Sequence, residues 1–240
     1  MTPRDNTRSL ALTGGVLYLV TFVASIPTLA LKTPLLDHAG FVLGRGNELP
    51  VLWGGFLDFV CAVAGIGTAV ALYPIVRRHS RPSAVGFLAS RTLEAAILVV
   101  GAISLLSVVT LRSGVVGGDS ASLLTTSKAL VAQHDWSFLF GPGLMPAINA
   151  MFLATVMYRF RLVPRIIPLM GLVGAPLLVA SSVATLFGGH GQVSSTAVLF
   201  ALPIAAWEFS LGVYLIVKGV KRTTVATDTD APTASPALAA

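Results

Sequence analysis

The stretch GFLASRTLEAAILVVGAISLL, from Gly86 to Leu106, carries only two charges, Arg91 and Glu94. A membrane helix needs about 20 consecutive, mainly apolar residues. The stretch is therefore read as a transmembrane helix with two charges inside it. The rest of the chain agrees. Of 240 residues, 55% are hydrophobic and 11% charged, against about 25% charged in a typical soluble domain. Mean hydropathy is +0.84. Six apolar runs qualify as spans, at about 10–31, 50–73, 84–111, 136–158, 166–187 and 196–217. They predict an all-α polytopic transmembrane bundle of six helices. A spanning backbone must satisfy its own hydrogen bonds, and the short alternating segments of a membrane barrel are missing. The first run exceeds the roughly 7–15 residues of a signal-peptide core, so it is read as a span.

Lys and Arg divide unevenly between the two sides. Arg4, Arg8, Arg77, Arg78, Arg81, Arg159, Arg161, Arg165, Lys218, Lys221 and Arg222 make eleven on one side; Lys32, Arg45, Arg112 and Lys128 make four on the other. The positive-inside rule then predicts an N-in/C-in orientation. Residues 1–9 form a cytoplasmic N-tail, 10–217 the membrane domain and 218–240 a disordered cytoplasmic C-tail without apolar periodicity. Two long outer loops, 32–49 and 112–135, read as irregular. A net charge of +6 would suit nucleic acid only if clustered on one face. The expected partner is instead the lipid bilayer.

Cys61 is the only cysteine, which excludes a disulfide within the chain and a Cys-based metal site. No HExxH, CxxC or GxxxxGK[ST] motif occurs, and the histidines are scattered. No metal and no cofactor is expected.

The informative residues are the polar ones inside the spans. Arg91 and Glu94 are three apart and share a helix face. At 1.5 Å per residue they lie about 10 and 15 Å from the cytoplasmic end of their helix. An isolated charge there costs at least ~2.5 kcal/mol, so this face must meet a partner or water. Glu208, about halfway along span six, reaches the same depth. Asp58 sits nearer the outer half of span two, on a face continued by the small residues Ala62, Gly65 and Ala69. Asn149 is central in span four. His134 and Asp135 stand at its outer mouth, with Asp135 expected as a helix cap. Carboxylates outnumber Arg91, so one is protonated or a cation is bound. His79 and His190 read as loop residues.

The runs LTGGVLYLVTFVASI, GFLASRTLEAAILVVGAISLL and HDWSFLFGPGLMPAINAMFLATVMYRFRLVPRIIPLMGLVGA together resemble a bacterial membrane family, domain of unknown function 4386. Its pattern has an Arg-x-x-Glu pair in the third span, matched by Arg91 and Glu94, and a His entering the fourth, matched by His134. The turn before the fifth span departs from the pattern, with Arg161 where a small residue is common and with an added Pro168. The resemblance covers about residues 10–217. It implies a multi-pass protein of the bacterial inner membrane and a shared polar set, but no reaction.

Three functions fit these residues. The first is a small-molecule binder or permease, with an apolar or ionic ligand near Arg91, Glu94 and Glu208. The second is a structural or accessory membrane protein whose charges fix helix packing. The third is an intramembrane enzyme on a lipid or isoprenoid substrate, with Glu94 or Asp58 as general acid. The sequence favours the first narrowly and leaves the oligomeric state open.

Overall fold

The computed structural model describes residues 3–113 and 119–221. The disorder expected of the tail from 222 onward, and the centre of the second long loop at 114–118, fall outside the described residues. Within them the protein is entirely helical. Helix α1 (Pro3–Leu36) leads through a 3-10 turn (Ala39–Leu43) to α2 (Leu49–Arg77) and α3 (Arg81–Ser113). Then come α4 (Ser120–Phe140), α5 (Met145–Arg159), α6 (Ile166–Leu186) and α7 (Ser195–Val217). Six stretches are long and apolar enough to cross a membrane, with α4 and α5 together forming the fourth. Val23 and Leu199 are 75% and 65% exposed, part of an apolar outer belt far larger than a soluble protein shows. The chain is a multi-pass membrane protein.

The first turns of α1 and the last turn of α7 lie at the same end of the bundle. Arg8 donates from Nη1 to the Leu215 carbonyl (2.8 Å) and from Nη2 to that of Ile216 (2.6 Å), closing the last turn of α7. This is the basic end, where Arg77, Arg81, Arg159 and Arg165, at the ends of α2, α3, α5 and α6, also sit.

Two expected loops are largely helical. The first span does not stop at residue 31: α1 runs on to Leu36 and takes in Lys32. The segment 112–135 is not an irregular loop, because α4 begins at Ser120. Its cap is Asp119, whose carboxylate accepts from the amides of Ala121 and Ser122 (both 3.2 Å), and not Asp135, which lies well inside the helix. Thr125 and Thr126 fold their hydroxyls back onto carbonyls four residues earlier. Leu123, Leu124, Leu130 and Val131 pack on the far end of α3 and on the 3-10 turn. This apolar stripe is sparse, which is why the segment reads as loop.

The fourth span is broken at Gly141-Pro142-Gly143-Leu144. Pro142 and Pro146 have no amide hydrogen to give the carbonyls one turn back, so the helix cannot run through. Ser182 of α6 donates to the Gly143 carbonyl (2.8 Å) and satisfies one freed acceptor. At the turn before α6, Arg161 has φ 53°. That left-handed geometry is easy for glycine and costs other residues about 1–2 kcal/mol.

Apolar packing falls into two clusters. The larger, around Leu72, Phe87, Leu153, Met157, Trp207 and Leu211, fills the basic end. The smaller, around Leu35, Phe41, Val51 and Leu105, caps the opposite end. On the small face Ala62, Gly65, Ala69 the two alanines are buried, but Gly65 makes no close helix contact. A Cβ at Gly65 would meet nothing within 4 Å, whereas one at Gly15 would come within 2.7 Å of the Gly212 carbonyl of α7. Backbone cannot yield there as a side chain can. Gly15→Ala is expected to lower stability in detergent by about 1–3 kcal/mol. Gly65→Ala should be neutral or stabilise by up to about 1 kcal/mol through helix propensity. Thermal unfolding of the two variants beside wild type checks the contrast.

Candidate functional site

Between the two apolar clusters lies a polar layer. In α3 the i, i+3 spacing puts Arg91 and Glu94 on one face, as the sequence requires. Arg91 Nη1 donates to Glu94 Oε2 (2.9 Å), and Nη2 donates to Glu208 Oε1 of α7 (2.6 Å). Asn149 of α5 donates from Nδ2 to the same Glu94 Oε2 (2.6 Å), and Ser90 donates its hydroxyl to Asn149 Oδ1 (2.6 Å). The guanidinium also lies over the rings of Tyr18 (5.1 Å) and Phe87 (5.9 Å). Thus α1, α3 and α7 meet at one cation, and α5 joins through Glu94.

Arg91 is nearly inaccessible, with 5% of its side chain exposed, whereas Glu94 and Glu208 each keep 14%. Glu94 Oε1 and Glu208 Oε2 accept no hydrogen bond among the described residues. Both carboxylates face a cavity of about 360 Å³ that runs from the polar layer toward the opposite end of the bundle. Its wall includes Thr21, Ser25 and Thr28 of α1, Asp58 and Cys61 of α2, and Phe138, Pro142 and Pro146 at the α4–α5 break. Elsewhere the lining is apolar.

The cavity has a side opening. Near the basic end α1 and α7 touch at Gly15 and Gly212, and the Phe22 and Phe209 rings meet edge-on at 5.7 Å. Beyond them, Ser25, Ile26 and Leu29 of α1 line the cavity and are also exposed on the outside of the bundle. Ala201 and Ala205 of α7 face them across the gap with little side chain to close it. The mouth therefore lies between α1 and α7, at the depth of the apolar belt.

Asp58 does not join Arg91. It pairs with Lys32, and both side chains are about 95% buried. Lys32 was assigned by sequence to an outer loop, because the apolar run falters there. The excess of embedded carboxylates over Arg91 was the signal for a second buried cation. His134 is buried in α4, where Nδ1 lies 3.2 Å from Asp135 Oδ1 and the ring stacks on Phe138. It stands behind the cavity wall and does not line it. Asn149 reaches the site only through Glu94. The polar stripe Thr21, Ser25, Thr28 also went unused in the sequence reading, although its spacing of four and three marks one helix face.

The remaining candidates lie apart. His190 is held in the α6–α7 loop, with Nδ1 3.1 Å from Thr185 Oγ1. His79 lies in the α2–α3 turn, partly buried. Its Nδ1 meets the Ile75 carbonyl at 3.1 Å and its ring packs on Phe160. Among the described residues no group of three or more His, Cys, Asp or Glu is placed to hold a metal ion.

The matching profile is that of the family described as Domain of unknown function (DUF4386), over residues 13–219. The chain belongs to that family. No curated protein and no solved structure matches it.

Removing one partner of a buried ion pair leaves the other uncompensated, at a cost of about 3–5 kcal/mol. Lys32→Met is therefore expected to destabilise by about that amount, while Lys32→Met with Asp58→Asn recovers most of the loss. Unfolding midpoints of the single and double variants check this.

Proposed function

We propose that this member of the DUF4386 family is a bacterial inner-membrane binding protein or permease for a small amphiphilic molecule, oriented with its basic end in the cytoplasm. One observation carries the reading. Two buried carboxylates share a single guanidinium, and each presents an oxygen without a protein partner on the wall of a largely apolar cavity. A purely structural ion pair gains nothing from acceptors left without a protein donor on a cavity wall. The mouth between α1 and α7 opens onto the lipid-facing belt, which suits a ligand that partitions into the bilayer. The break between α4 and α5 fits as well, since interrupted helices border the midplane sites of many transporters.

The structural reading has its own support. The chain Ser90–Asn149–Glu94–Arg91–Glu208 ties three helices together with short hydrogen bonds. The two readings differ in what the charges do for stability. Replacing a buried charged triad by apolar or neutral groups of similar size is often neutral or stabilising by about 1–4 kcal/mol. The combined variant Arg91→Met, Glu94→Gln, Glu208→Gln should unfold in detergent at or above the wild-type midpoint. That would mean the charges are retained at a cost to stability, as a ligand site requires. A loss of several kcal/mol would instead make the network a packing lock and remove the basis for the ligand reading.

A further inference from the structure

The ligand's head group can be inferred from the charges that line the cavity, on the premise that the cavity is a ligand site. Facing the polar layer are Arg91 and Glu94 from α3, Glu208 and Tyr18 from α7 and α1, and Asp58 and Cys61 from α2. Lys32 of α1 is committed to Asp58. Helix α5 contributes the neutral Asn149, and His134 of α4 stays behind the wall, bonded to Asp135. With the carboxylates ionised, three negative groups meet two positive ones, so the layer carries one negative charge at a depth where an unbalanced charge costs at least ~2.5 kcal/mol. The two oxygens that lack partners, Glu94 Oε1 and Glu208 Oε2, are acceptors. Their residues are bonded through the other oxygen to the same guanidinium, and both line the one cavity.

We propose that the cavity binds a lipophilic primary ammonium: a single –NH3+ between Glu94 and Glu208, with an apolar body lying along the wall toward the α1–α7 mouth. A primary ammonium brings three donors, enough for both vacant oxygens, and supplies the one missing positive charge. An alcohol supplies donors but no charge. A carboxylate ligand adds a second uncompensated negative charge. The rings of Phe22 and Phe138 on the cavity wall suit a cation with an apolar body, because ring faces attract positive charge.

The test uses two probe series that differ only in head group. The first is 2-phenylethylamine, 2-phenylethanol and phenylacetate; the second is octylamine, octanol and octanoate. Each is added to the full-length protein in a neutral detergent, and the thermal midpoint is read. An amine at a hundredfold excess over its Kd should raise Tm by about 5 °C or more. The matched alcohol should give a much smaller shift and the carboxylate none. Glu208→Gln should abolish the preference of amine over alcohol. Should that variant fail to fold, Glu94→Gln gives the same readout, and the wild-type series alone already compares amine with alcohol. Equal shifts from amine and alcohol would overturn the ammonium assignment and leave the ligand site standing. A preference for the carboxylate would overturn it as well. No shift from any of the six probes would also overturn it, while the ligand reading itself stands or falls on the stability of the combined charge variant.

Discussion

One guanidinium, held between two carboxylates at the depth of the apolar belt, constrains much of this protein. Arg91 cannot face lipid at tolerable cost, so the face of α3 that carries it must turn inward. Glu208 must then stand at the same height on α7, and Asn149 must bring α5 close enough to reach Glu94. Tyr18 closes the arrangement from α1. These three contacts fix the rotation of four helices about their axes, which uniform apolar packing does poorly. In lipid, apolar faces gain little from one another over hydrocarbon. The polar layer also divides the interior into the two apolar clusters, one at each end.

The same layer explains where space is left. Packing is tight toward the basic end, where Gly15 and Gly212 bring α1 and α7 into backbone contact. It loosens toward the opposite end, where α1 is drawn to α2 by the Lys32–Asp58 pair. The cavity opens between α1 and α7, where Ser25, Ile26 and Leu29 line it and are exposed. On the other wall, the proline-interrupted fourth span contributes Phe138, Pro142 and Pro146. Two independent irregularities thus border one volume, and the vacant carboxylate oxygens lie at its floor.

Much of this was legible in the sequence, and the failures have physical causes. Six spans followed from hydropathy alone. The Arg91–Glu94 pair followed from spacing, and Glu208 from depth, because a straight helix converts residue number into height. Lys32 was missed because a lysine at the end of an apolar run looks like a loop boundary. Its pairing with Asp58 depends on the crossing of α1 and α2, which no local pattern records. The start of α4 was missed because its apolar stripe is thin and its Ser and Thr residues hide their hydroxyls on their own backbone. The departure at Arg161 does have a local reason: φ there is 53°, where a glycine is at ease and an arginine is strained. The cavity itself could not be read from sequence, since a void leaves no residue behind.

The central claim is that the polar layer faces a volume open to small molecules in the folded protein. Cys61, the only cysteine in the chain, lines that volume and reports on it directly. Membrane-embedded wild type and an Ala201→Trp variant, designed to fill the mouth, would be treated with methylmercury chloride, a small neutral reagent that binds a thiol without prior ionisation, and modification followed by mass spectrometry. The account predicts that Cys61 is modified in the folded wild type and protected in the Trp variant. A Cys61 that resists the reagent in the folded protein and reacts only on unfolding would contradict it.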